Sequence, residues 1–197
     1  MNYCNRILLG LLFVAGLAMT QSCRKSDQLT SSDIQESNNS AFSKDQPALN
    51  NIVSGGIYRI TSVRSGRVLD VVSGSYNDGA QIQQYHWHGG DNQRWKIVEV
   101  FTGIPIYKII SVQSNKALDI PGGSYADGTI IQQFTPHTGK NQEWLLFRQP
   151  NGSYEIRSNL TNKALDVVSA SYDDGARIQQ FTPHGGDNQQ WELVQLN

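Results

Sequence analysis

Cysteine is nearly missing from this 197-residue chain; the only two, Cys4 and Cys23, stand close to its start. A disulfide framework and a cysteine-built zinc site are therefore excluded from the main body. Charge is sparse as well. Charged residues make up 17% and the formal net charge is −1, so the electrostatic footprint of a nucleic-acid binder is missing, and no basic stripe supplies it locally. The apolar run at residues 7–19 is thirteen residues long, whereas spanning a bilayer takes about 20. No stretch shows a convincing helical period. What the chain does have is glycine, 18 residues of it, which suits a loop-rich, strand-built protein better than a helical bundle.

Arg6 is the one charge ahead of the apolar run. A short, cation-flanked apolar run followed by small residues reads as a secretory signal peptide. Cys23 follows Thr20, Gln21 and Ser22, and the segment resembles a bacterial lipoprotein signal, although Thr20 stands where such signals usually carry Leu. The resemblance implies that residues 1–22 are removed, that Cys23 is lipidated, and that the protein is an exported outer-membrane lipoprotein held to the membrane by its lipid anchor. The alternative is cleavage after Ala18, which gives a secreted or periplasmic protein with Cys23 as an incidental thiol. Residues 23–51 are rich in Ser, Asn, Gln and Asp and have too few large apolar side chains to offset their ordering entropy. They read as a flexible polar tether.

Three copies of one unit fill residues 52–197. Tyr58, Tyr107 and Tyr154 each open a Tyr-x-Ile; Leu69-Asp70, Leu118-Asp119 and Leu165-Asp166 follow. Each unit closes on Gln-x-Trp, with Gln93 and Trp95, Gln142 and Trp144, and Gln189 and Trp191. The offsets are 49 and then 47 residues for all three markers. Without a gap, residues 67–95 and 163–191 share 20 of 29 positions, and residues 116–144 share 19 with the latter. The units run at about 55–101, 104–148 and 152–196.

Each unit reads as four short strands, near 56–60, 66–71, 82–85 and 95–98 in the first, or about twelve in all. Asp78-Gly79, Asp127-Gly128 and Asp174-Gly175 are turn dipeptides between them. A propeller also has four-stranded blades, but three blades close poorly. A β-trefoil is the closed all-β solution for three units and leaves few sheet edges. About 146 residues suffice to bury a core without disulfides.

The pattern Leu-Asp-Val, Ser-Tyr-x-Asp-Gly, Gln-Gln-aromatic, His-x-Gly-x-Asn-Gln-x-Trp resembles the ricin B-chain-like β-trefoil lectins with their (Gln-x-Trp)3 signature. It is most similar to the carbohydrate-binding modules of bacterial xylanases and arabinofuranosidases. The resemblance covers residues 52–197 and implies up to three sugar sites. In each, an Asp accepts sugar hydroxyls, an aromatic fifteen residues on stacks against the sugar, and a His and an Asn complete the pocket. Those offsets place Asp70, Tyr85, His88 and Asn92 in the first unit; Asp119, Phe134, His137 and Asn141 in the second; and Asp166, Phe181, His184 and Asn188 in the third. Many family members carry a disulfide inside each unit. The matching positions here are Val68 with Trp87, Ala117 with Pro136 and Ala164 with Pro183, so apolar contact has to replace the crosslink.

These residue types suit a sugar. A carboxylate makes charge-assisted bonds to hydroxyls, an Asn donates and accepts and so can read a hydroxyl pair, and a flat aromatic covers the C–H face. The Asp residues could instead satisfy loop N–H groups. Trp95, Trp144 and Trp191 are expected in the core, Gln93, Gln142 and Gln189 on backbone, and the Asp-Gly carboxylates are turn formers first. His88, His137 and His184 sit in separate units and His86-x-His88 is too short a constellation, so no metal is implied; nor is a cofactor. The reading is a monomeric, non-catalytic protein that captures a polysaccharide or glycan containing galactose, arabinose or xylose at the cell envelope, with no catalytic residue and no nucleic-acid partner. The alternatives are a glycosidase, which needs paired carboxylates, and a β-trefoil protein-interaction or inhibitor scaffold.

Overall fold

The computed structural model describes residues 52–197; the signal, Cys23 and tether lie outside the described residues. The first unit supplies β1 (Gly56–Ser62), β2 (Val68–Val71), β3 (Ile82–Tyr85) and β4 (Trp95–Phe101). The second supplies β5 (Ile104–Ser111), β6 (Ala117–Asp119), β7 (Thr129–Ile130), β8 (Gln132–Phe134) and β9 (Trp144–Arg148). The third supplies β10 (Tyr154–Ser158), β11 (Ala164–Val167), β12 (Ile178–Phe181) and β13 (Gln190–Leu196). The described residues thus hold 13 strands where the sequence predicts about twelve. The extra one arises at Ile131, whose backbone leaves its own hairpin. Its N–H donates to the Ile178 carbonyl at 2.8 Å and its carbonyl accepts from Ile82 at 2.9 Å. The second strand begins at Val68 rather than 66, because Gly66, at φ +68°, still belongs to the turn.

Six strands close a barrel by antiparallel pairing in the order β1, β4, β5, β9, β10, β13 and back to β1. The remaining strands form three hairpins, β2–β3, β6–β8 and β11–β12. The hairpins meet one another through the β7–β12 pairing and through bridges from Gln81 to Gln132 and from Gln83 to Arg177. This is a β-trefoil. Closure leaves the barrel strands no free edge.

The repeated residues explain the core. Trp95, Trp144 and Trp191 are fully buried, and each indole N–H donates to the carbonyl of Leu69, Leu118 or Leu165 at 3.0–3.1 Å. A buried indole without a partner would be costly, so this bond fixes where each Trp can sit. Ile82, Ile131 and Ile178 are also fully buried where the hairpins converge. Of the six positions matched to disulfide partners, Val68, Ala117 and Ala164 are buried apolar residues on the hairpins, whereas Trp87 and Pro183 are half-buried and Pro136 is exposed.

Candidate functional site

Hairpin register builds each site first. Asp70 lies directly opposite Gln83, Asp119 opposite Gln132 and Asp166 opposite Gln179. Side chains two positions apart on a strand share a face, so the aromatic two residues beyond each Gln stands beside the carboxylate. A left-handed kink follows each Asp-bearing strand. Ser73 (φ +56°), Gly122 (+59°) and Ser169 (+54°) turn the chain there, and at Ser73 and Ser169 this costs about 1–3 kcal/mol each. The kinked segments Val72–Gly74 and Val168–Ala170 form one wall of the first and third cavities, and Gly122 of Pro121–Gly123 lines the second.

The structure brings the four expected residues of each unit together. Asp70, Tyr85, His88 and Asn92 line a cavity of about 480 Å³; Asp166, Phe181, His184 and Asn188 line one of about 430 Å³; Asp119, Phe134, His137 and Asn141 line one of about 240 Å³. The imidazole stands edge-on to the aromatic in each, with centroids 6.2–6.3 Å apart. Each imidazole Nδ1 accepts a backbone N–H, from Gly90, Gly139 or Gly186. The neutral ring therefore carries its proton on Nε2, which points toward the carboxylate at 3.8, 3.7 and 3.5 Å.

The Asn of each site is tied to the carboxylate beside it. Asn92 Nδ2 donates to Asp70 Oδ2 at 2.8 Å and to the Val71 carbonyl at 3.4 Å. Asn141 and Asn188 repeat this with Asp119 and Asp166. Both amide protons are committed, so the Asn orients the carboxylate, and only its oxygen could meet a ligand. That oxygen lies against Gly90, Gly139 or Gly186, where a Cβ would come within 2.5–2.8 Å of it.

Sequence reasoning missed the first Gln of each Gln-Gln pair. Gln83, Gln132 and Gln179 line the cavities and donate to the other carboxylate oxygen at 2.7–2.8 Å. The signal was present, since Gln-Gln recurs in every unit, but it reads as strand sequence until the register is known. The alternative in which loop N–H groups satisfy the Asp does not describe these contacts; side-chain amides do that work. Gln93, Gln142 and Gln189 do bind backbone, each accepting the His88, His137 or His184 N–H at 2.8–2.9 Å. Gln142 and Gln189 also reach Asp119 and Asp166.

The carboxylates are only 2% exposed yet border the cavities. Burial raises the pKa of Asp70 and Asp166, opposed first by the bonds from Gln83 and Gln179. Each cavity thus presents a desolvated acceptor, an imidazole N–H and an aromatic face, an arrangement suited to a ligand with hydroxyls on its rim and C–H bonds on one face.

The wall of each cavity is held by the neighbouring unit, at one equivalent position with three different residues. Gln113 donates to the Gly74 carbonyl in the first cavity. Leu160 lies within 3.5 Å of where a Gly123 Cβ would stand in the second. Arg64 Nε donates to the Ala170 carbonyl at 2.5 Å in the third.

The turn carboxylates reach across the same seams. Asp78 accepts from the Thr135 N–H at 2.7 Å and pairs with Lys116 at 2.7 Å. Asp127 does so with Thr182 and Lys163, at 2.8 and 2.6 Å. Asp174 closes the third seam on His86 at 2.8 Å and Arg67 at 2.7 Å. The extra histidine of the first unit therefore stands where the other two carry Thr.

Comparison with known proteins agrees with this geometry. The family described as ricin-type beta-trefoil lectin domain-like matches residues 48–134, 100–181 and 140–197. A designed three-fold symmetric protein, ThreeFoil, is similar at 42% identity over 72% of this chain and 99% of its own, with a TM-score of 0.69. An exo-beta-1,3-galactanase from Clostridium thermocellum is 39% identical over 74% of this chain, with a TM-score of 0.70; the match spans 31% of that enzyme. A ricin B-like lectin of Macrolepiota procera, in complex with lactose, is 28% identical over 73% of this chain and 98% of its own, with a TM-score of 0.62. Comparison with curated proteins found no match.

Proposed function

The chain belongs to the ricin-type beta-trefoil lectin domain-like family, and from that premise we propose that it is a non-catalytic carbohydrate-binding protein with three saccharide sites. One observation carries the reading: the same carboxylate, amides, imidazole and aromatic line a cavity three times over. Asp70, Asp119 and Asp166 accept sugar hydroxyls, while His88, His137 and His184 donate from Nε2. Tyr85, Phe134 and Phe181 cover the apolar sugar face. Asn92, Asn141 and Asn188 hold the carboxylates in place. Each cavity is lined by a single carboxylate, whereas glycoside hydrolysis usually takes a pair within about 5–10 Å.

The lactose-bound lectin and the galactanase favour a galactose-containing ligand, with arabinose- and xylose-containing polymers as the other candidates. A shallow pocket of this kind holds one sugar at on the order of −4 kcal/mol. Three on one body raise the apparent affinity for a polymer through effective concentration. The protein acts as a monomer at the cell envelope, exported and anchored in the outer membrane by lipid on Cys23, so that it holds a glycan close to the cell.

Affinity electrophoresis of the full chain through gels containing arabinogalactan, galactan or arabinoxylan tests the binding reading. Retardation by one polymer, relieved by its free monosaccharide and lost in the combined Asp70→Ala, Asp119→Ala and Asp166→Ala variant, is the expected result. A folded triple variant retarded as strongly as the wild type would overturn the assigned sites.

A further inference from the structure

Within residues 67–95, fourteen positions carry the same residue in all three units. Thirteen have a task visible in the fold. Leu69, Ile82 and Trp95 fill the core. Asp70, Gln83, His88 and Asn92 line the cavity. Gln93 holds the imidazole backbone, and Gly90 leaves room for the Asn92 oxygen. Ser75 accepts the Asn77 N–H inside the turn, Gly79 supplies φ +81°, Asp78 ties the seam, and Gln84 binds a turn of the neighbouring unit.

The fourteenth is the tyrosine of the Ser-Tyr-x-Asp-Gly turn. Tyr76, Tyr125 and Tyr172 are 65%, 65% and 58% exposed, among the most exposed large apolar side chains of the described residues. Tyr76 and Tyr125 make no side-chain hydrogen bond or ring contact among the described residues, and Tyr172 meets only the Arg64 guanidinium, 4.6 Å above its ring. The next position in each unit has drifted to Asn77, Ala126 and Asp173. A solvent-facing aromatic with no packing role is kept where its neighbour is free to vary.

The turn that carries each tyrosine is clamped on both sides. The carbonyls of Ser75 and Asn77 accept the two amide protons of Gln133 at 2.8 and 3.0 Å. Gln180 and Gln84 do the same for the turns around Tyr125 and Tyr172, at 2.8–3.0 Å. All three clamping amides are fully buried and come from the neighbouring unit. Each ring is therefore presented from a fixed backbone, which lowers the ordering cost of binding. Tyr76 and Tyr172 lie two residues beyond a wall residue of their own unit's cavity, Gly74 or Ala170, and Tyr125 lies three beyond Gly122; two or three residues reach at most about 7 or 11 Å.

We propose that Tyr76, Tyr125 and Tyr172 are second sugar subsites, each stacking on the sugar linked to the one held in the adjoining cavity. The ligand class is then a saccharide chain of two or more units rather than a lone sugar. This rests on the sugar-binding reading of the cavities. Tyr172 has one face already covered by Arg64, so its subsite uses the other.

The test compares the full chain with two variants, Tyr76→Ala/Tyr125→Ala/Tyr172→Ala and the corresponding triple Tyr→Phe. Exposed positions leave the thermal midpoint near that of the wild type. Galactose, arabinose and xylose are titrated by NMR, and retention is measured on arabinogalactan and arabinoxylan gels. The expected result is monosaccharide affinity unchanged within about twofold in the Ala variant, with polymer affinity down by roughly tenfold, and polymer binding kept in the Phe variant, because stacking needs the ring and not the hydroxyl. Polymer retention by the Ala variant equal to wild type would overturn the subsites and leave the cavities standing. So would a parallel loss of monosaccharide and polymer, which would make the tyrosines part of the first pocket. A wild-type chain that binds neither sugars nor polymers would overturn the cavity reading, and the subsites with it.

Discussion

Asp70 and Asp166 are ionisable groups kept almost out of water, and that placement gives them two opposite pH effects. Their pKa values stand above 3.8 because burial penalises the charged form. A sugar hydroxyl is held best by the charged carboxylate, so binding at these two sites is lost as pH falls through a midpoint above 3.8. Titrating polymer retention downward from neutral pH checks this; full retention at pH 3.8 would contradict it. The stability effect runs the other way. A raised folded-state pKa adds stability that is complete below the unfolded value and is lost as pH rises through the folded one. Asp70 and Asp166 therefore cost stability at neutral pH, where they bind.

The glycines on either side of this chemistry separate space from strain. Gly186 has an ordinary φ of −70°, but a Cβ there would meet Asn188 Oδ1 at 2.8 Å and the His184 ring at 2.8 Å. Gly185 has φ +73° and open space around it. Gly186→Ala is expected to displace the His and Asn and abolish binding at the third site. Gly185→Ala is expected to cost about 1–2 kcal/mol of stability through backbone strain while the site still binds. Site-resolved NMR titration with galactose, beside thermal unfolding, distinguishes the two.

At the scale of elements, the hairpins are held to one another by strand pairing, by the buried amides of Gln84, Gln133 and Gln180, and by the seam carboxylates. Hydrogen bonds and cations lower the pKa of Asp78, Asp127 and Asp174, led by Lys116, Lys163 and His86 respectively. A lowered folded-state pKa contributes stability that is present above the unfolded value and lost as pH falls through the folded one. The combined Asp78→Ala, Asp127→Ala and Asp174→Ala variant should therefore melt below the wild type near neutral pH, with the difference narrowing as pH falls below 3.8. A constant difference across that range would assign the effect to lost turn geometry instead. The core elements respond differently. Trp144→Ala removes a fully buried indole and strands the Leu118 carbonyl, and should destabilise by roughly 3–5 kcal/mol in denaturant unfolding.

At the scale of the whole molecule, the three sites share a plan but differ in size and support. The second cavity is the smallest of the three at about 240 Å³; its lining Gly122 is followed by Gly123, against which the apolar Leu160 lies. The first and third, at about 480 and 430 Å³, have walls held by a hydrogen bond from the neighbouring unit. Single Asp→Ala variants should therefore reduce polymer affinity unequally, least at Asp119. Each should cost more in polymer retention than in total monosaccharide bound, because losing one of three linked sites lowers effective concentration for the others. Equal losses from Asp70→Ala, Asp119→Ala and Asp166→Ala would show that wall support does not set affinity.

The sequence alone determined the three units, about twelve of the strands and the buried Trp, which follow from local periodicity and from a repeat whose identities can be counted along the chain. The four residues that gather at each cavity were legible through the resemblance of each unit to the ricin B-chain-like lectins. Tertiary structure alone decided what lies between the units. Thr135 meets Asp78 across 57 positions and Arg64 meets Ala170 across 106; no local pattern encodes such pairs. The role of Asn92 was likewise hidden, because an amide that can read hydroxyls can equally hold a carboxylate, and only the position of Val71 and Asp70 selects between them. Ile131 split its strand for the same reason: the backbone of a trefoil hairpin pairs wherever closure brings a partner, and closure is a property of all three units together.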